Sequence, residues 1–267
     1  MIVKRHTKEL LNLVDDIPTI PDVWHRIECL LNDPDSDIND MAEVVKQDAS
    51  TSAMIMKMAN SIFYNPSGRE INSIDEAIMR LGMNEVADIA RAMSLIYGLF
   101  LPYFRILSVK RIWSHSLSVA MLAKKFAELC NGDSRVAYTA GLLHDIGKIV
   151  LGTKIDINYF DTDLLEKHEQ ELCALERDAY GYDHAEIGDA LLHRWGMPSD
   201  ICLIVRNHHT DAIGSTECMS IKFADQFVTQ AMPKRIKFES VPDFVVLIMD
   251  DAINQFRANY STLLMNR

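Results

Sequence analysis

This sequence carries a set of histidines and aspartates at positions typical of metal ligands. Five of its nine histidines and one aspartate fall on the apolar faces of successive predicted helices, and a second aspartate directly follows one of these histidines. The five histidines and the first aspartate are expected to face inward because apolar residues lie three or four positions away, where side chains share a helix face. The set consists of His115, His144, Asp145, His184, His208, His209 and Asp225.

These residue types favour a metal site. An ionised aspartate buried alone is costly, whereas a divalent cation compensates its charge. Imidazole and carboxylate groups are ligands that divalent Fe, Mn, Co, Ni and Zn accept, and the set contains no thiolate. Helical bundles build such sites from side chains on facing helices. The pattern therefore predicts a site for one or two divalent transition metal ions.

Each position also has a simpler interpretation. A single inward histidine is more often a core residue bonded to a carbonyl, and Asp225 alone could cap a helix or lie at the surface. Lys148, which lies three residues after Asp145, could simply be a lysine that interacts favourably with the dipole at the C-terminal end of a helix. The joint placement of the whole set favours the metal site.

Composition limits the kind of partner. The 267 residues carry a formal net charge of −11, and no basic stripe interrupts the acidic background. Binding to nucleic acid is not expected, because it depends on cationic side chains that neutralise phosphates.

No apolar run reaches the length of about 20 residues that a membrane-spanning helix needs. The five cysteines are scattered without a C-x-x-C pair, which favours a reduced, cytoplasmic setting.

The elements that must position the site are predicted to be helices. Apolar residues recur at helical spacing through most of the chain, and no convincing alternating strand is present. Around the site we expect helices at about 107–130, 134–145, 184–195, 198–209, 216–231 and 241–264. Pro102 marks a boundary. The expected architecture is therefore all-α with two packed helical subdomains, residues 1–105 and residues 106–267.

The order of the predicted ligands resembles a known family. The series His115, His144-Asp145, His184, His208-His209 and Asp225 is similar to the HD superfamily of metal-dependent phosphohydrolases, and "HDIGK" is especially similar to its HD-GYP phosphodiesterase branch. From about residue 17 into the 190s or 200s, beginning "IPTIPDVWHRIECLLNDPDSDINDMAEVV", the chain resembles the HDOD domain, a bacterial signalling module. The C-terminal subdomain is accordingly expected to be an HD-type helical bundle.

The resemblance implies a role for each residue of the set. Asp145 would bridge two metals. The first metal would also be held by His115, His144 and Asp225. The second would be held by His184 and His208, and completed or supported by His209. Such a metal pair would generate a hydroxide and bind both oxygens of a phosphoester. Asp145 and Lys148 are therefore the catalytic candidates, with Lys148 as the nearest cation for the phosphate.

Two interpretations remain open at this point. The complete ligand series favours an enzyme, a metal-dependent phosphohydrolase or phosphodiesterase acting on a nucleotide or another phosphoester. HDOD proteins, however, resemble HD domains that often lack metal ligands and have no established activity. That resemblance implies a non-catalytic signalling module that binds a protein partner and keeps a structural or vestigial metal site. No GYP motif follows His208-His209, which argues against cyclic di-GMP as the substrate.

Overall fold

The structure, a computed structural model, describes residues 22–61, 64–95, 103, 106–160, 169–210, 215–232, 245 and 247–257. Within these ranges every regular element is a helix, so the expected all-α fold is confirmed. The described residues divide into two compact units, one within Pro18–Pro102 and one that begins at Tyr103. Residues 1–21 of the expected N-terminal subdomain lie outside the described residues. None of the described helices has the length and apolar character that crossing a membrane requires.

The described part of the N-terminal unit consists of α1 (Asp22–Asn32), α2 (Ile38–Lys46), α3 (Ala49–Ala59), α4 (Ile74–Leu81) and α5 (Met83–Leu95). Local signals set the helix ends. Asp37 and Asp40 form a capping box at the start of α2. At the start of α4, the backbone N–H of Glu76 donates a hydrogen bond to the Ser73 hydroxyl at 3.1 Å. The helices bury apolar side chains that include Ile27, Met41, Ile55 and Ile78.

The C-terminal unit carries every predicted ligand. Its described helices are α6 (Leu107–Leu129), α7 (Ser134–Leu143), α8 (Ile146–Val150), α9 (Glu169–Tyr180), α10 (His184–Arg194), α11 (Ser199–Asn207) and α12 (Thr216–Ala231). A π-helical turn (Leu151–Ile155) and a 3-10 turn (Ile157–Phe160) follow α8. The helix expected at about 241–264 is described only at residue 245 and over 247–257, and these residues are helical. The long α6 packs against α7 and α12, whereas α10 packs against α8 and α11.

Two glycines let the helices that bear the site approach closely. A Cβ on Gly141 would lie 2.9 Å from the Cα of Ala120, so this glycine lets α7 pack directly on α6. A Cβ on Gly147 would collide with the carbonyl of His184, so this second glycine lets α8 pack on the start of α10. The junction between α7 and α8 is thereby held beside both α6 and α10.

Candidate metal centre

The seven predicted ligands converge in the C-terminal unit, although they come from separate parts of the chain. His115 lies in the middle of α6, and Asp225 lies in α12. The His144-Asp145 pair occupies the junction between α7 and α8. His184 is the first residue of α10, and His208-His209 directly follows α11. The side chains are buried or nearly so, and the most exposed among them, His115 and His209, are each only 13% exposed.

One half of the cluster joins α6, α12 and the junction between α7 and α8. Nε2 of His115 lies 2.9 Å from Oδ1 of Asp225. Nε2 of His144 lies 4.0 Å from the same oxygen and 3.4 Å from Oδ2 of Asp145. His115, His144 and Asp145 each offer a ligand atom within 4.8 Å of the other two. Atoms at these separations can share one ion whose bonds are about 2.0–2.3 Å long.

The other half of the cluster uses the second oxygen of Asp145. Its Oδ1 lies 3.5 Å from Nε2 of His184 and 3.8 Å from Nε2 of His208. Nε2 of His184 lies 2.9 Å from Nε2 of His209. These four residues offer ligand atoms that all lie within 4.8 Å of one another. Asp145 therefore turns one oxygen to each half, which is the arrangement that a bridging ligand needs.

Hydrogen bonds at Nδ1 fix three of the imidazoles with Nε2 toward the cluster. His144 and His208 each donate from Nδ1–H to the backbone carbonyl three residues earlier, at 2.7 Å and 2.6 Å. The Nδ1–H of His184 donates to a carboxylate oxygen of Glu176 at 2.7 Å. Bonds of this kind orient the ring and leave Nε2, rather than Nδ1, as the atom that can exchange a proton for a metal.

Three buried atoms of the cluster have no hydrogen-bond partner among the described residues: Nε2 of His144, Nε2 of His208 and Oδ1 of Asp145. A buried polar atom left unpaired costs about 1–3 kcal/mol, so three of them in one place require a compensating interaction. A divalent cation in each half of the cluster would together satisfy all three, and their imidazole and carboxylate chemistry suits a transition metal. The residues present therefore fit a metal centre.

The charges of the cluster also suit a cation. Burial opposes the charges of Asp145 and Asp225, but neighbouring imidazoles outweigh it and hold the pKa of both carboxyls below their usual range. Burial lowers the pKa of His209 to about 3 and that of His208 well below its ordinary value, so both rings are neutral. Burial also opposes the charge of His144, but the two aspartates outweigh it and raise its pKa to about 9. The potential around Asp145 therefore attracts positive charge.

Lys148 is buried in the centre and does not lie exposed at a helix end. Its Nζ donates to Oδ2 of Asp145 at 3.0 Å and to the two carboxylate oxygens of Glu169 at 3.0 Å and 3.1 Å. Burial opposes the charge of Lys148, but these carboxylates outweigh it and raise its pKa. The lysine is therefore a charged part of the centre.

Glu176, which the sequence analysis did not single out, holds His184 in place from α9. One of its carboxylate oxygens accepts hydrogen bonds from the Nδ1–H of His184 at 2.7 Å and from its backbone N–H at 2.8 Å. The other oxygen accepts the Tyr159 hydroxyl at 2.6 Å. Burial opposes the charge of Glu176, but His184 outweighs it and lowers the pKa of the carboxyl. Cys173 also lies near this pair, but burial raises the pKa of its thiol to about 12, so it is protonated.

Glu169, the first residue of α9, was missed as well. Its Oε2 lies 3.4 Å from Nε2 of His209, and its side chain is 25% exposed. The buried Leu172 lies three residues after Glu169 and four before Glu176, so both glutamates share its inward face. The spacing rule that found the histidines would have found both glutamates if it had also been applied to this acidic stretch.

Comparison with known proteins identifies the class. The HDOD domain family matches residues 17–211, which is more than half of the chain. The chain therefore belongs to the HDOD family, and the resemblance expected from the sequence is confirmed. An HDOD domain protein of unknown function from Geobacter sulfurreducens has a similar structure, with a TM-score of 0.69 and 25% identity over 94% of this chain and 97% of that chain.

Two of the other similar proteins carry names from phosphoester chemistry, and a third is uncharacterised. A Shewanella amazonensis protein named as a candidate phosphohydrolase shares the fold, with a TM-score of 0.67 and 19% identity over 93% of this chain and 97% of that chain. An uncharacterised protein of Treponema pallidum is 25% identical over 204 residues, 73% of this chain and 38% of that protein. Ribonuclease Y of Mycoplasma genitalium is 27% identical over 169 residues, 61% of this chain and 29% of that protein. The chain thus spans less than two fifths of either curated relative.

Proposed function

We propose that this HDOD protein is a metal-dependent phosphohydrolase whose C-terminal unit binds two divalent transition metal ions, drawn from Fe, Mn, Ni, Co and Zn. One observation carries the proposal. Three buried ligand atoms, on His144, His208 and Asp145, have no hydrogen-bond partner among the described residues. Their side chains are otherwise held in position, and they lie among further imidazoles and carboxylates.

The two halves of the cluster define the two ligand sets. The first ion would be held by His115, His144, Asp145 and Asp225. The second would be held by Asp145, His184, His208 and His209. Asp145 belongs to both sets because its two oxygens face different halves.

Bound divalent ions activate water and stabilise the charge that develops on a phosphoryl group. The chain's own residues prepare the site for this chemistry. Glu176 fixes the ring of His184, and Lys148 fixes Oδ2 of Asp145. Burial excludes bulk water, so the charges of Asp145 and Lys148 act at short range with little screening.

The proposed substrate is a nucleotide or another small phosphoester. The similar proteins named Ribonuclease Y and the candidate phosphohydrolase support phosphoester chemistry. The net charge of −11 does not favour nonspecific binding of nucleic acid. We therefore expect recognition through the phosphate and its immediate surroundings.

The test compares wild type with Asp145→Asn, which keeps the shape of the side chain and removes its charge. Elemental analysis after purification with added Mn, Fe or Ni should find about two ions per wild-type chain. The variant should lose the second ion first, because the other ligands of that half are neutral imidazoles. Hydrolysis of bis(p-nitrophenyl) phosphate and of a nucleotide panel should disappear with it. Asp178→Asn, at an exposed position of α9, is the matched control. A wild type that takes up no metal would refute the proposal.

The second candidate function is a non-catalytic signalling module that binds a protein partner. One observation favours it: among the described residues, the N-terminal unit contributes no predicted ligand, which suits a separate role for that unit. The same measurements distinguish the two candidates. A wild type that holds two ions and cleaves no phosphoester would favour the module.

A further inference from the structure

Glu169 makes contacts that a phosphate group would also make. Its Oε1 and Oε2 accept hydrogen bonds from Nζ of Lys148 at 3.0 Å and 3.1 Å. The same Oε2 lies 3.4 Å from Nε2 of His209 and 4.0 Å from Nε2 of His184. One carboxylate oxygen therefore lies between a buried cation and the ligand atoms of the second half.

Glu169 is not needed to complete the ligand set of that half. Asp145, His184, His208 and His209 already place four ligand atoms within 4.8 Å of one another. The Glu169 side chain is 25% exposed, whereas His209, the most exposed of those four, is 13% exposed. Glu169 therefore lies on the outer side of the second half, where a molecule from solvent could replace it.

From these contacts, and resting on the proposed function, we propose that the Glu169 carboxylate occupies the subsite for a phosphate oxyanion. Phosphate and carboxylate both offer negatively charged oxygens to an ammonium and to a metal centre. A substrate phosphate would displace Glu169, take over the hydrogen bond from Lys148, and place an oxygen beside His209 and His184. Glu169 thus competes with the substrate for the subsite, and a phosphate must bind tightly enough to displace it.

The expected effect follows from this competition. An apparent dissociation constant rises as the fraction of open sites falls, so if Glu169 occupies the subsite about nine-tenths of the time, removing it strengthens phosphate binding about tenfold. The gain should depend on Lys148, because that ammonium is the partner that phosphate takes over. It should not depend on the change in net charge alone.

The experiment measures binding of inorganic phosphate to the manganese-loaded full chain by isothermal titration calorimetry, with metal content determined for each sample. Glu169→Gln and Glu169→Ala should keep the wild-type metal content and bind phosphate about tenfold more tightly. Adding Lys148→Met to Glu169→Gln should remove the gain. Asp178→Asn removes the same charge from an exposed position of the same helix and should leave the phosphate affinity unchanged.

Every other outcome contradicts either the role of Glu169 or the proposed function. Unchanged phosphate affinity with normal metal content, or an equal gain in Asp178→Asn, would overturn the role of Glu169 and leave the proposed function standing. Loss of an ion from Glu169→Gln would make Glu169 a permanent ligand, which also overturns its role as a displaceable occupant. A wild type that binds no metal would overturn the proposed function and this inference with it.

Discussion

Removing the carboxylate of Glu176 should weaken the His184 half of the metal centre while leaving the His115 half largely intact. Glu176 accepts three buried hydrogen bonds, two from His184 and one from Tyr159. It makes no contact with His115 among the contacts described for the structure. The two ion affinities should therefore respond differently to the same substitution.

The magnitude follows from the three hydrogen bonds. Glu176→Ala leaves three donors without their acceptor, and at about 1–2 kcal/mol each the loss of unfolding free energy should be about 3–6 kcal/mol. Losing the group that orients a metal-binding histidine typically costs about 10–100-fold in metal affinity, and we expect this for the second ion. Glu176→Gln should be milder in stability, because its amide oxygen can accept both bonds from His184 while its amide group donates to the Tyr159 hydroxyl.

The assay combines urea unfolding of the metal-free protein with metal titration of the folded protein. Tyr159→Phe is the matched control, because it removes one hydrogen bond to Glu176 and leaves both bonds to His184. It should cost about 1 kcal/mol and change the metal affinity little. If Glu176→Ala is destabilised as expected but binds the second ion as tightly as wild type, then Glu176 does not orient His184 for a metal.

Gly147→Ala should destabilise the protein by about 1–3 kcal/mol or more, because its Cβ would collide with the carbonyl of His184; calorimetry should show a lower melting temperature, and elemental analysis less metal. Arg91→Ala should cost about 1.5–3 kcal/mol in urea unfolding, because Asp88 and Glu28 each lose a guanidinium nitrogen at 2.6 Å, yet the metal content should not change. Glu217→Gln should lower the melting temperature at neutral pH but not in acid. Partial burial opposes the charge of Glu217, but hydrogen bonds from a serine hydroxyl and from backbone N–H groups outweigh it and lower its pKa below the ordinary 4.5. Its contribution is therefore complete above pH 4.5 and is lost as the pH falls through the lowered pKa, which paired melting curves of the two proteins would show.

The opposite result for any of these three substitutions would contradict one inference from the structure. A Gly147→Ala protein with normal melting would mean that α8 can move away from α10 without disturbing the centre. Loss of metal from Arg91→Ala would mean that the N-terminal unit supports the centre. A Glu217→Gln difference that persists unchanged in acid would mean that the charge of Glu217 is not what stabilises the start of α12.

The sequence predicted which side chains turn inward, because helical spacing alone determines the face of a helix. That rule placed His184 beside buried Ile187 and Leu191, and the structure buries all three. It also applies to Glu169 and Glu176, which share the face of Leu172. These two were missed because the search followed imidazoles and did not extend to the acidic stretch around them.

Distances between helices could not be predicted in the same way. His115 and Asp225 are 110 residues apart in the chain and 2.9 Å apart in space, and only the packing of α6 against α12 brings them together. The place of Lys148 depends on packing too. Its sequence position suits a helix end, but the close approach that Gly147 permits holds its helix against α10, and its ammonium lies between two carboxylates. Local spacing predicts on which face of a helix a side chain lies. Which side chains come into contact depends on how the helices of the unit pack together.

The formal charges of the centre connect the number of ions to the function. Asp145, Asp225, Glu169 and Glu176 are four carboxylates and Lys148 is one ammonium, so with neutral imidazoles the protein contributes three negative charges. A single divalent ion would leave one negative charge, and such a centre would repel a phosphate. Two divalent ions would leave an excess of one positive charge. Displacement of Glu169 would raise that excess to two positive charges, which a phosphate dianion would match. The ion count therefore separates a structural centre, which needs one ion, from a phosphate-binding centre, which needs two.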